Sequence, residues 1–244
     1  WSGWIKPTGV SGGWQFIFGM EDSGWDRFLA LEAGGLGLSM GMTSNRWQTG
    51  VSVTPGTWQH VVAIYDNGAM RFYFNGTEYT TSYTEGGHSS AGTFTIGANQ
   101  NGGQSYKGLI DEVAVWNKGL SAAEITTLYN SGGGLDASSN SGNYNSANNL
   151  VGYWKMDESS GTSLTDSSGN SNTATMINMS DADWVASGVS ISASESAAVA
   201  LHNLDDDTDV TVAVSSSDTG EATVDNATLT FTEENWNTAQ TVTV

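Results

Sequence analysis

The chain has 244 residues, among them 31 Gly, 2 Pro and no Cys, with 10 Trp, 8 Tyr and 7 Phe. Only 7 Lys and Arg residues oppose 26 Asp and Glu residues, so the formal net charge is −19. This charge repels phosphate backbones and anionic lipid headgroups, and we expect no nucleic-acid partner. No apolar run approaches the roughly 20 residues that span a bilayer, so we also expect no membrane insertion.

The first part of the chain consists of short apolar or alternating runs separated by Gly, Asp and Ser, which is typical of β-strands joined by turns. The runs are Trp14–Met20, Arg27–Glu32, Leu36–Met42, Trp58–Tyr65, Ala69–Phe74, Thr93–Gly97 and Leu109–Trp116. Asn67 and Gly68 stand between two of these runs and are a strong hairpin signal, because both residue types tolerate positive φ. So many short runs bounded by turns predict an all-β sandwich.

A single short helix is predicted after these strands. Ser121 and Glu124 have the spacing of a capping box, in which each side chain satisfies an amide donor at the helix start. Residues 131–149 are small and polar, and they predict a flexible linker or a long loop. Leu150–Met156 then predicts a new strand.

From about Gly188 the sequence changes to Val- and Thr-rich alternating runs. These predict a second, smaller domain over 188–244, an immunoglobulin-like β-sandwich that is whole or incomplete. The first and last residues of the chain fall inside predicted strands, so we expect it to be part of a longer polypeptide.

Five segments carry a likeness to a known family. They are WQHVVAIYD (58–66), RFYFNG (71–76), FTIG (94–97), KGLIDEVAVWN (107–117) and LSAAEITTLY (120–129). In this order they resemble the laminin-G-like branch of the concanavalin A-like jelly rolls, which is related to the pentraxins. Ser2–Pro7 is similar to an early interior strand of that family, and Leu150–Glu158 and Thr165–Asn172 resemble a segment that usually starts such a domain.

The likeness covers residues 1–185 and implies a jelly-roll β-sandwich. In the tail, Asp209–Thr219 and Leu229–Val244 resemble repeats of bacterial adhesins, which implies a spacer or stalk module.

The chain departs from the family pattern at one place. The family's first strand would precede Trp1, and the motif that usually fills it stands at 150–185 instead. This segment could return to the sandwich of its own chain, open a second repeat, pair with a neighbouring chain, or correspond to the closing strands of pentraxins. We expect it to pack on the 1–130 sandwich of the same or the next chain, with Leu150–Met156 contacting Ser2–Ile5.

Loop 165–172 holds Asp166, Asn170 and Asn172, and carboxylate and amide oxygens are the ligands that Ca²⁺ prefers. Similar loops bind calcium in laminin-G-like relatives, and the resemblance implies that Asp111 or Glu112 joins them. The sequence therefore predicts a calcium site. The alternative is that the three loop side chains cap a turn through hydrogen bonds to the backbone.

The sequence does not predict an enzyme. Jelly-roll glucanases place their catalytic carboxylates on one strand, with the alternate side chains facing the cleft. On Leu109–Trp116 the positions that alternate with Glu112 are Ala114 and Trp116, so the second carboxylate is missing. His60 lies in a strand beside Trp58, and we expect it to pack in the core.

Trp25, Trp47 and Tyr83 fall in loop-like surroundings and predict a platform on which sugar rings stack. The alternative is that these aromatic rings are buried as plugs beneath the loops.

Together these features predict a secreted or cell-surface binding or adhesion module, stabilised by calcium, that recognises glycans or cell-surface polymers. The first rival is a structural subunit of an extracellular filament, fibre or stalk, which would assemble with copies of itself through jelly-roll and strand-exchange contacts. The second rival is an accessory domain of a hydrolase whose catalytic part lies outside this chain.

Overall fold

The computed structural model of the protein describes residues 1–9, 12–21, 27–42, 45–66, 68–84, 92–185, 188–189, 191, 196–199, 210–214, 228–232, 235 and 240–243. The chain divides into two compact units, Trp1–Ile191 and Ser192–Val244. Within the described ranges, no helix has the length and apolar character that crossing a membrane requires.

The first unit is built of strands, which confirms the predicted all-β class. The strands before the helix are β1 (Ser2–Pro7), β2 (Gln15–Glu21), β3 (Arg27–Leu31), β4 (Gly37–Met42), β5 (Asn45–Ser52), β6 (Gln59–Asp66), β7 (Ala69–Phe74), β8 (Thr77–Thr84), β9 (Thr93–Ile96) and β10 (Gly108–Trp116). Helix α1 (Ala122–Tyr129) follows, and then come β11 (Leu150–Trp154), β12 (Ser163–Leu164) and β13 (Ala174–Thr175). Short 3-10 turns span Asn130–Gly132, Ala147–Asn149 and Asp181–Asp183.

Two antiparallel sheets form the jelly-roll sandwich. The larger sheet has the strand order β11–β10–β1–β6–β7–β8, and the smaller has the order β5–β4–β3–β2–β9. Side chains from both sheets meet in one core. Ile5, Val61 and Phe18 are among them, and these three have no exposed surface. Burial of this apolar area is the main stabilising contribution to the fold.

The larger sheet is buried on both of its faces in its middle strands. In β6, Val61 and Ala63 point into the core between the sheets, whereas Val62 and Ile64 pack in a second cluster with Ile125 of the helix. A strand that is covered on both faces needs no polar alternation, and this explains the continuous apolar run in β6.

The helix begins with the predicted capping box. The Ser121 hydroxyl accepts a bond from the Glu124 N–H at 3.2 Å, and the Glu124 carboxylate accepts one from the Ser121 N–H at 2.8 Å. The helix ends at Asn130, whose φ of 46° is in the left-handed region that closes many helices.

Of the two predictions for 131–149, the flexible linker is wrong, because this segment is a long loop that packs against the outer face of the larger sheet. Tyr144 is only 1% exposed and lies in the second apolar cluster. Its hydroxyl accepts a hydrogen bond from the Trp116 indole at 3.0 Å and donates one to the Ala137 carbonyl at 2.7 Å. One buried aromatic ring therefore anchors a segment whose other residues are mostly small and polar.

The segment after this layer returns to the sandwich of its own chain. Strand β11 pairs antiparallel with β10, with Tyr153 opposite Ala114. The predicted contact between Leu150–Met156 and β1 is replaced by this pairing, because β10 lies between β11 and β1 in the sheet.

The second unit contains two antiparallel pairs in its described part. Strand β14 (Ser196–Val199) pairs with β17 (Gln240–Thr243), and β15 (Val210–Ala213) pairs with β16 (Thr228–Phe231). In β16 the exposure alternates, with Leu229 and Phe231 buried. The immunoglobulin-like sandwich predicted for 188–244 stays a prediction.

Candidate functional site

Two adjacent carboxylates, Asp111 and Glu112, lie in β10 beside a β-bulge. Trp4 of β1 opposes Asp111, but Ser2 opposes Ala114, so β10 carries one extra residue at this point. Glu112 has a φ of 52°, in the left-handed region. A bulge redirects side chains, and here both successive carboxylates are buried, at 4% exposure for Asp111 and 8% for Glu112.

Each buried carboxylate has hydrogen-bond donors. Glu112 accepts a hydrogen bond from the Tyr153 hydroxyl. One oxygen of Asp111 accepts a bond from the Val189 N–H at 2.7 Å, and the other accepts one from the Glu112 N–H at 3.1 Å. These bonds replace part of the hydration that each carboxylate loses on burial.

Burial raises the pKa of Glu112 to about 8, although the Tyr153 hydrogen bond opposes this rise. Burial also raises the pKa of Asp111 to about 6 against the hydrogen bond from Val189, and the charge of Asp157 adds to both increases. Glu112 is therefore largely protonated at neutral pH.

Glu112 lines a cavity of about 10 Å³, which has room for about one water molecule. Ser2, His60 and Tyr153 also line it. His60 is 2% exposed, which confirms its predicted core position, and burial lowers its pKa to about 3. The Nε2 atom of His60 lies 2.7 Å from the Ser2 hydroxyl, whereas its buried Nδ1 has no hydrogen-bond partner among the described residues.

This cavity does not have the geometry of a glycosidase cleft. Such enzymes hold a sugar between two carboxyl groups, and a space for one water cannot admit a sugar ring. Ala114 and Trp116 line the cavity together with Glu112, as the strand alternation predicts.

Loop 165–172 lies along the outer edge of β11, where Asp166 binds backbone amides. Its Oδ1 atom accepts hydrogen bonds from the N–H groups of Tyr153 and Ser168, each at 2.9 Å, and its Oδ2 accepts one from the Asn172 N–H at 2.8 Å. Burial alone would raise the pKa of Asp166, but the bonds to Ser168, Tyr153 and Asn172 outweigh it and lower the pKa.

The two asparagines of this loop also bond to the strand. The Asn170 side-chain amide donates to the Leu150 carbonyl at 2.8 Å, and the Asn172 amide donates to the Val151 carbonyl at 2.7 Å. Side-chain-to-backbone capping, the alternative that we considered for this loop, is therefore present in the structure.

The structure does not bring Asp111 and Glu112 together with Asp166. In the described part of the chain, no group of three or more His, Cys, Asp or Glu side chains is placed to hold a metal ion. The side-chain oxygens of Asn170 and Asn172 accept no hydrogen bond there, and both side chains are exposed. With Oδ2 of Asp166 they offer three of the six to eight oxygens that Ca²⁺ needs, so water would have to supply the others.

Of the three aromatic residues of the predicted sugar platform, only Trp47 has its side chain in the described part of the structure. The loop-like position expected for Trp47 is wrong, since this residue lies in β5 and is 8% exposed in the core. The strand has a clear alternation that signals this burial, because Thr49 and Val51 are buried with Trp47 while the residues between them are exposed. Tyr83 lies in β8 with its side chain outside the described part, and Trp25 is outside the described residues.

Tyr153 connects the two polar sites, a role that was not predicted from the sequence. Its backbone N–H bonds to Asp166 in the edge loop, and its hydroxyl bonds to Glu112 in the cavity. The signal for its burial is the apolar run around it. Its partner Glu112 follows only from the pairing of β10 with β11, and its partner Asp166 follows from the return of loop 165–172 along the other side of β11.

A six-stranded and a five-stranded antiparallel sheet packed face to face, with a helix on the outer face, define an all-β jelly-roll protein. A laminin-G model of the concanavalin A-like lectin/glucanases superfamily matches residues 1–126. The chain belongs to this superfamily. A search of the curated proteins finds no match to the sequence.

Solved structures from two bacteria and one animal are similar to this chain. A protein from Bacteroides ovatus that is proposed to bind carbohydrate matches with a TM-score of 0.55 and 21% identity, over 71% of this chain and 50% of its own. This chain thus spans half the length of that protein. The heptameric SAP-like pentraxin of Limulus polyphemus matches with a TM-score of 0.43 and 22% identity, over 52% of this chain and 67% of its own.

Domain 4 of an extracellular arabinanase of family GH43 from Geobacillus stearothermophilus, solved in complex with arabinotriose, matches as well. It has a TM-score of 0.42 and 27% identity, over 52% of this chain and 63% of that domain's chain.

Proposed function

We propose that the chain is a glycan-binding module that recognises a carbohydrate without cleaving it. Membership of a superfamily of lectins and glucanases supports a carbohydrate ligand, and the Bacteroides ovatus protein of the same fold is itself proposed to bind carbohydrate. The observation that supports recognition over hydrolysis at Glu112 is the small cavity of about 10 Å³ that this carboxyl lines. A space of this size is too small for a sugar ring to lie between Glu112 and a second carboxyl, as glycoside hydrolysis requires.

The proposal places this module outside the cell, in binding or adhesion, because glycan polymers and cell-surface carbohydrates are found there. The net charge of −19 suits such a setting, since salt screens the self-repulsion of an acidic chain.

Calcium is part of the proposal as a stabilising ion at loop 165–172. The exposed side-chain oxygens of Asn170 and Asn172, together with Asp166, would hold it on the solvent side of the loop. Its contribution would be to stabilise a loop that already bonds to β11.

The sugar contact is assigned to Trp25 and Tyr83, because aromatic rings stack on sugar C–H groups and Trp47 is buried. We expect Trp25→Ala and Tyr83→Ala to lower the affinity for a glycan found on an array of oligosaccharides by about tenfold or more, an effect of about 1.4 kcal/mol or more. Trp58→Ala is the matched control, since Trp58 is a half-buried aromatic residue beside Lys6. The glycan affinity of this variant should stay within about twofold of the wild-type affinity.

Binding of no glycan on the array would overturn the proposed function. Unchanged affinity in both the Trp25 and the Tyr83 variants would overturn only the assignment of the sugar contact. Trp47→Ala is not a useful probe of binding, because removing a buried Trp side chain costs about 3–5 kcal/mol of stability.

A further inference from the structure

Strand β11 is an edge strand of the larger sheet, and it has one side without a neighbouring strand. Its inner side pairs with β10. On its outer side, the N–H and C=O of Tyr153 and the C=O of Val151 point away from β10, because these groups bond to loop 165–172. Such a row of backbone groups is the usual template for the addition of another strand.

Loop 165–172 satisfies this edge almost as a strand would. The Tyr153 N–H donates to Asp166 Oδ1 at 2.9 Å, and the Tyr153 carbonyl accepts a bond from the Ser167 N–H at 2.7 Å. The Val151 carbonyl accepts the Asn172 amide at 2.7 Å. Only one of these three bonds joins two backbone groups. The loop therefore covers the edge without becoming a further strand, which would itself offer backbone groups to another chain.

We propose that loop 165–172 is an edge cap, which prevents β11 of a second copy of this chain from pairing with β11 of the first. Two copies would pair antiparallel about a two-fold axis and join their larger sheets into one. Tyr83 of the proposed glycan contact lies in β8, at the opposite edge of the same sheet.

The second copy is the occupant that fits this edge. Two identical strands offer each other the same outward donors and acceptors, as an isologous contact requires. Val151 is an apolar side chain with 40% exposure at the same place, and pairing of the edges would bury part of it. The net charge of −19 on each copy opposes pairing at low salt, so the cap is needed most where salt screens this repulsion.

The test uses the full chain with Asn170→Ala and Asn172→Ala together, in chelator so that no calcium contributes. We expect the wild type to sediment as a monomer and the double variant to form dimers as its concentration rises. The dimer fraction should increase from about 0.15 M to about 1 M NaCl, as the Debye length falls from about 8 Å to about 3 Å. The matched control is Asn101→Ala with Asn145→Ala, two exposed asparagines with no hydrogen bond to β11.

A third substitution, Val151→Pro, identifies the surface. Proline removes an N–H from the edge strand, and the preceding Leu150 already has the extended geometry that proline favours, with φ −60° and ψ 136°. Adding it to the double variant should restore the monomer. A dimer that persists would show that another surface associates and would overturn the proposal.

A double variant that stays monomeric at every protein and salt concentration would also overturn the proposal. Hydrogen exchange at the Tyr153 amide is measured in parallel, because loss of the cap should speed it. Unchanged exchange would show that the asparagines do not hold the cap, and this too would contradict the inference. Asn172→Ala alone is the milder variant if the double variant melts too low, and it should give a smaller dimer fraction.

Discussion

The carboxyl of Glu112 holds its proton more tightly in the folded protein than in the unfolded chain. Burial in β10 raises its pKa from 4.5 to about 8, so folding favours the protonated carboxyl. Its stabilising effect is fully present below pH 4.5 and is lost as the pH rises through 8, because the unfolded chain loses this proton earlier than the folded protein does.

Replacing Glu112 by Gln should remove this dependence. Between pH 6.5 and 8 the free energy of unfolding of the wild type should fall relative to Glu112→Gln, by up to about 1.4 kcal/mol per pH unit. Asp111 and His60 are present in both proteins, so their own titration is common to both and the comparison isolates that of Glu112. Urea unfolding of both proteins at several pH values measures the difference, and a constant difference would show that Glu112 is ionised in the fold.

Single residues also show which features of burial the sequence can and cannot predict. The burial of Trp47 could have been predicted, because the alternation with Thr49 and Val51 is local. The burial of both Asp111 and Glu112 could not, since it depends on a bulge set by the pairing with β1. A bulge depends on the pairing of two strands. Position 112 is Glu and not Gly, so the sequence does not indicate its positive φ.

The helix and the layer that follows it differ in how far local sequence specifies them. The capping box of α1 was predicted because its two partners are three residues apart. The packing of 131–149 was missed because Tyr144 finds its partner Trp116 28 residues away. Small polar composition predicts flexibility only when no such long-range anchor is present.

Loop 165–172 is the element on which the calcium proposal can be tested. About 10 mM CaCl₂, some 100 times a Kd of about 0.1 mM, should stabilise the chain by about 2.7 kcal/mol over chelator and raise its Tm. Asp166→Ala should lower the Tm in chelator, because three backbone N–H groups lose their acceptor, and it should abolish the response to calcium. An equal Tm of the wild type in calcium and chelator would show that hydrogen bonds alone hold the loop.

The whole molecule combines a concanavalin A-like sandwich over Trp1–Ile191 with a second unit over Ser192–Val244. The order of motifs in the sequence was sufficient to predict the sandwich. It left open which chain supplies the strand at 150–154, and the structure places that strand beside β10 of the same chain.

Recognition of a glycan without hydrolysis is best tested on the full chain with an oligosaccharide selected from the array. Isothermal titration calorimetry would measure its binding, and mass spectrometry would then examine the recovered sugar. Saturable binding with an intact oligosaccharide is the predicted result. Release of shorter sugars, or no heat of binding for any selected oligosaccharide, would contradict it.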